Sequence, residues 1–161
     1  MAPADIVDGV AALKPVARRG AVTELGDGTR IFDDSYNASP AAVSAMLAAL
    51  AATPTHGRRV AVLGEMLELG DAALALHERC GRAAADAGVD ELIVVGGDTA
   101  DGLVAGAMAG GLPASRVHRF ATSVEAAAAV SALVKAGDLV LVKGSRGTRT
   151  DVIVDRLTEV A

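Results

Sequence analysis

The chain has 161 residues, 52% hydrophobic but only 2% aromatic, with a net charge of −5 and a single cysteine. This length predicts one domain, spanning 1–161, whose core is built from Ala, Val, Leu and Ile. The acidic balance without a basic block argues against nucleic acid as a partner. The lack of an uncharged apolar run of about 18 residues argues against a membrane span, and the lack of a cationic start with an apolar segment argues against a signal peptide. Cys80 has no internal partner, which fits a reducing, cytoplasmic setting.

In chain order, Asp5 to Leu13 reads as a short helix with Ile6, Val10 and Leu13 on one face. Ala21 to Leu25, the turn Gly26-Asp27-Gly28, and Thr29 to Asp33 read as a β-hairpin. Pro40 opens a helical pattern over Ala41 to Ala52, a position where its missing N–H has no intrahelical partner to lose. Further strands are expected at Arg59–Leu63, Glu91–Val95, Arg116–Phe120 and Leu139–Val142. Helices are expected at 72–87, 99–109, 124–135 and 151–160, with Asp71, Asp98 and Ser123 as N-caps. β-branched runs alternating with amphipathic helices predict an α/β fold: a three-layer α/β/α, Rossmann-like sandwich with a mostly parallel sheet and an N-terminal β-hairpin.

Four loops follow strand ends and would share the crevice where open α/β sheets hold ligands. Asp33-Asp34-Ser35-Tyr36-Asn37 sets a tyrosine, the only one in the chain, among carboxylates and an amide. Its plainer reading is a capped turn. Gly64-Glu65-Met66-Leu67-Glu68-Leu69-Gly70 frames two carboxylates with glycines; a helix cap is the default, a cation or a cationic substrate group the alternative. Gly96-Gly97-Asp98 lacks the spacing of a dinucleotide fingerprint and reads as a tight turn. Lys143-Gly144-Ser145-Arg146-Gly147-Thr148-Arg149 gathers three cations, two hydroxyls and two glycines before the last helix. That pattern suits an anion or carboxylate, against the alternative of a solvated charged turn; it is not a P-loop. His77 and Cys80 share a helix face, but two ligands do not make a zinc site, so both read as packing residues. No metal site and no catalytic nucleophile stand out.

Taken together, the loops resemble the C-terminal domain of the Mur ligases, and among them the type that adds D-Ala-D-Ala. The matching pieces are Pro15-Val16 with Arg19, Asp33 to Pro40, Val62 to Gly70, His77 with Gly81, and Val142 to Gly147. Arg18 stands where the family often has glycine. The resemblance implies a cytoplasmic step of peptidoglycan synthesis in which ATP, with Mg²⁺, activates the carboxylate of a UDP-MurNAc-tripeptide. The amine of D-Ala-D-Ala then attacks the acyl phosphate. It also implies that the family's N-terminal UDP-binding domain and central ATPase domain lie outside this chain. The chain alone would then hold no cofactor and be inactive. By the same resemblance, Arg19, Asp34, Tyr36 and Asn37 would meet the nucleotide and its phosphates. Lys143, Ser145 and Arg146 would lie near the dipeptide or acyl phosphate. A stand-alone α/β module that binds a nucleotide or small anion without catalysis is the alternative.

Overall fold

A computed structural model describes residues 17–159. The helix expected at 5–13, Pro15-Val16 and Val160 lie outside the described residues. Six strands form one sheet: β1 (Ala21–Glu24), β2 (Arg30–Asp34), β3 (Arg59–Gly64), β4 (Glu91–Val95), β5 (Val117–Phe120) and β6 (Leu139–Lys143). Their spatial order is β1-β2-β6-β3-β4-β5. β1 runs antiparallel to β2, and the other neighbouring pairs are parallel. The expected hairpin and parallel sheet are therefore both present.

Among the described residues, five helices cover the two faces: α1 (Pro40–Ala52), α2 (Ala73–Asp86), α3 (Asp101–Ala109), α4 (Ser123–Leu133) and α5 (Asp151–Glu159). Strand residues alternate between two cores, as period-2 side chains must. Ala61, Leu63, Leu92, Val94, Leu139 and Leu141 pack under α1, α2 and α3. Val60, Val62, Ile93, Val95, Val140 and Val142 pack under α4 and α5. Strands buried on both faces read as unbroken apolar runs, which is why β3, β4 and β6 were legible as strands. No helix among the described residues is long and apolar enough to cross a membrane.

Three expected N-caps are corrected. Asp71 and Asp98 sit inside short 3₁₀ turns that precede α2 and α3, and neither side chain caps. Ser123 is the first residue of α4. The cap is Thr122, whose hydroxyl accepts the Glu125 N–H in a reciprocal capping box. Ser123 instead donates its hydroxyl to the Thr148 carbonyl at 2.6 Å. At the start of α1, Ser39 caps and Pro40 occupies the first helical position.

α2 and α3 cross at a glycine seam. A Cβ on Gly81 would strike the Leu103 carbonyl, and one on Gly106 would strike the Glu78 carbonyl. At the amino end of the sheet, Arg58 joins Asp138 (2.7 Å) and Glu91 (3.0 Å), and Glu91 also meets Arg116 and His118 at 2.9 Å. The Asp138 hydrogen bond outweighs desolvation and holds the Arg58 guanidinium above its ordinary value. This network ties β3 through β6 together on the edge opposite the four loops.

Candidate functional site

The strand register sets the centre of the site. Asp34, the last residue of β2, lies directly opposite Lys143, the last residue of β6. Both alternate onto the α1 face, so the Lys143 ammonium donates to the Asp34 carboxylate and, at 3.0 Å, to the Asn37 carbonyl. Lys143 is 2% exposed, and burial without this partner would be costly for its charge. Asp33, one residue earlier, faces the other way and accepts from the Ser35 N–H (3.2 Å) and hydroxyl (2.5 Å), which shapes the turn that carries Tyr36.

Tyr36 lies between two arginines. The Arg19 guanidinium stacks 4.1 Å from the ring centroid. The Arg146 guanidinium lies 5.4 Å away, with its Nη1 3.3 Å from the phenol oxygen. Arg19 first, then Arg146, hold the phenol below its ordinary value, because a nearby cation favours the phenolate. In the 161-residue chain, ultraviolet absorbance should report this ionisation without interference, since Tyr36 is the sole tyrosine and there is no tryptophan. The midpoint is expected below that of free tyrosine, and Arg19→Gln or Arg146→Gln should each move it upward. A wild-type midpoint at or above the free value would contradict the geometry.

A cavity of about 410 Å³ opens beside this cluster, lined by Arg19, Asp34, Tyr36, Asn37 and Lys143 together with the start of α1. The structure thus draws six of the seven expected site residues together: Arg19, Asp34, Tyr36, Asn37, Lys143 and Arg146. The seventh, Ser145, sits apart. It is 5% exposed, its hydroxyl accepts the Leu67 N–H at 3.0 Å, and its own N–H reaches the Glu65 carbonyl at 3.3 Å. Contacts run across the expected division between a nucleotide group and a Lys143–Arg146 group: Lys143 reaches Asp34 and Asn37, and Arg146 reaches Tyr36.

Arg18 adopts φ +65° and so takes the left-handed backbone that glycine favours. That turn sends its carbonyl to the Tyr36 N–H at 3.0 Å. Its guanidinium pairs with Asp155 at 3.0 Å, a contact that offsets a conformational cost on the order of 1 kcal/mol.

Sequence reasoning left the Glu65 loop between a cap and a ligand site. Glu65 caps across the sheet: its carboxylate accepts from the Gly97 N–H at 2.7 Å and from the Thr99 hydroxyl. Desolvation opposes its ionisation, but those two hydrogen bonds outweigh it and keep the carboxyl below the ordinary range. Its carbonyl accepts from the Thr148 hydroxyl at 3.0 Å. The loop is closed from below by His77, which is fully buried. The Met66 N–H can only donate, so His77 Nε2 accepts it at 2.8 Å, and Nδ1 donates to the Ala73 carbonyl at 2.7 Å. These partners, invisible in the sequence, define His77 as a structural residue. Cys80 is also buried, and desolvation pushes its thiol upward.

Among the described residues no three His, Cys, Asp or Glu side chains converge as metal ligands. Added Zn²⁺ should therefore leave the melting temperature unchanged. His77→Ala should lower stability by about 2–4 kcal/mol, through a cavity and an orphaned Met66 N–H. A zinc-dependent rise in the melting temperature that His77→Ala abolishes would overturn this reading.

Comparison with known proteins gives this geometry a context. The family described as Mur ligase, glutamate ligase domain, matches residues 18–146. The UDP-N-acetylmuramoyl-tripeptide–D-alanyl-D-alanine ligase of Mycobacterium tuberculosis (strain ATCC 25618 / H37Rv) is 41% identical over 163 residues, which cover 91% of this chain and 32% of that protein. The enzyme of the same name from Bacillus subtilis (strain 168) is 30% identical over 159 residues, covering 99% and 34%. A crystal structure of MurF from Acinetobacter baumannii superposes with a TM-score of 0.84 at 27% identity, covering 99% of this chain and 34% of that one. MurF from Thermotoga maritima in complex with ADP superposes with a TM-score of 0.76 at 29% identity, covering 95% and 33%. The chain therefore spans about a third of the length of the relatives it matches. With the family match running through the Arg19, Asp33–Pro40 and Lys143–Arg146 segments, the chain belongs to the Mur ligase family, whose glutamate ligase domain it carries.

Proposed function

We propose that this chain is one domain of an ATP-dependent ligase that joins D-Ala-D-Ala to UDP-MurNAc-tripeptide, a cytoplasmic step of peptidoglycan synthesis. The observation that carries the reading is the cluster of Arg19, Asp34, Tyr36, Asn37 and Lys143 around one cavity at the carboxyl ends of β2 and β6. Its parts fit a nucleotide. Tyr36 offers a phenol hydroxyl, Asn37 an exposed amide, and Arg19 a guanidinium for phosphate oxygens. Asp34 is held in place by Lys143, which leaves its second oxygen for a hydroxyl donor such as ribose.

In the complete enzyme the γ-phosphoryl of ATP passes to the tripeptide carboxylate, giving an acyl phosphate and ADP. The dipeptide amine then attacks the acyl carbon, phosphate leaves, and the amide forms with loss of a proton. This domain's share is to bind and orient, since positioning and electrostatics dominate phosphoryl transfer. We assign Mg²⁺ to residues beyond this chain, because among the described residues no three potential metal ligands converge.

The test uses the complete polypeptide and the 161-residue chain side by side. The complete ligase should release phosphate from ATP only with both substrates present, and Asn37→Ala should raise its KM for ATP. The chain alone should show background release, for it has no G-x-x-x-x-G-K-[ST] sequence. An upstream reading frame with no P-loop would instead favour a stand-alone binding module.

A further inference from the structure

We infer that Arg19 and Arg146 form a two-guanidinium clamp for a single diphosphate group, with Tyr36 as the platform between them. Arg146 then belongs with the nucleotide rather than with the incoming amine. The inference rests on the nucleotide reading above and assigns a residue that the reading leaves open.

Charge supports it first. Among the described residues, neither Arg19 nor Arg146 is paired with a carboxylate, whereas their neighbours Arg18, Lys143 and Arg149 all are. Lys143 and Asp34 cancel, and Asp33 faces the opposite side of the sheet and is bound by Ser35. Among the described residues, the two guanidinium groups that rest on Tyr36 beside the cavity are therefore uncompensated. A single carboxylate matches one such fork; a diphosphate presents oxygens to two at once.

Geometry supports it second. The two arginines come from distant segments, the turn before β1 and the loop after β6, yet both rest on one aromatic ring. An exposed cation over a ring face is held only weakly, so the ring can keep both groups ordered and release them to a stronger anionic partner. Tyr36 and Arg19 also line the cavity where the nucleotide reading places the ligand.

The experiment titrates the 161-residue chain with inorganic pyrophosphate, orthophosphate and ADP while following the Tyr36 absorbance band. Pyrophosphate should perturb Tyr36 saturably and bind more tightly than orthophosphate. Arg19→Gln and Arg146→Gln should each weaken pyrophosphate on the order of tenfold, the size of one charge-assisted contact. Arg146→Lys should not restore it, because an ammonium lacks the planar fork. Both arginines are exposed, so circular dichroism and the melting temperature should match wild type in each variant. If Arg146→Gln binds pyrophosphate like wild type while Arg19→Gln does not, the clamp is wrong and the nucleotide reading stands. If ADP leaves Tyr36 unperturbed in the wild-type chain, the nucleotide reading of this cavity falls, and the clamp falls with it.

Discussion

Lys143→Ala in the complete ligase should lower kcat/KM for ATP by about tenfold to a hundredfold. The ammonium makes two charge-assisted contacts, to the Asp34 carboxylate and the Asn37 carbonyl. A hydrogen bond to a charged group contributes about 1.5–3 kcal/mol, and each 1.36 kcal/mol is a factor of ten in rate. Removing the lysine also leaves Asp34 half-buried beside an empty space, and the turn from Asp34 to Asn37 loses the anchor that fixes its direction. The loss should therefore appear chiefly as a raised KM for ATP. Lys143→Met keeps most of the side-chain volume without the charge and should behave the same way, which separates electrostatics from packing. Steady-state kinetics with each substrate varied in turn decides the matter. An unchanged KM for ATP with a raised KM for D-Ala-D-Ala would favour the place near the dipeptide that the resemblance implies for this lysine.

Gly106→Ala should be strongly destabilising. In an unconstrained helix, alanine is better than glycine by about 1 kcal/mol, so the default expectation is a gain. Here the sign reverses. A Cβ at position 106 would overlap the Glu78 carbonyl, which is backbone and cannot rotate away. Gly81 and Gly102 make similarly close approaches at the same seam, so α3 cannot slide to relieve one contact without closing another. Overpacking of this kind costs about 1–3 kcal/mol even where side chains can adjust. A loss near the upper end would lower the melting temperature by roughly 6–12 °C for a domain of this size. Gly26→Ala is the control, since a Cβ there meets nothing within 4 Å and should leave the melt unmoved. A calorimetric melt of Gly106→Ala at or above wild type would mean that the two helices are not so closely packed.

The legible parts of this molecule were those governed by local periodicity. β3, β4 and β6 announced themselves as β-branched runs, and α2 as an amphipathic stretch ended near Gly88. Proline at the start of α1 and the loops at the strand ends were equally visible. What the sequence concealed depends on register and on neighbours far along the chain. Asp34 and Lys143 are 109 residues apart, and only the β2–β6 pairing sets them face to face. Arg58, Asp138, Glu91 and Arg116 come together for the same reason. The misassigned caps at Asp71, Asp98 and Ser123 failed differently: short 3₁₀ turns and a threonine one step earlier shifted each helix start by a residue or more. The glycines at 102, 106 and 110 did carry a signal, since a four-residue spacing puts them on one helix face.

The strand order has a consequence for how the chain acquires its structure. β6 occupies the middle of the sheet, between β2 and β3, yet it comes last in chain order among the described strands. Until Leu139 to Lys143 arrive, β2 with its hairpin partner and β3 with its successors are two half-sheets, each with an unsatisfied inner edge. The hairpin can form early, and so can the β3-α2-β4-α3-β5 unit, whose contacts are between sequence neighbours. Joining them is a long-range closure step, and such closures set the folding rate of mixed α/β domains. On the ribosome, a chain released before β6 would hold two adhesive edges open to other chains. Lys143, which lines the cavity, and Arg146, which rests on Tyr36, are borne by the same strand and loop that close the sheet, so the candidate site and the finished fold come into being in one event.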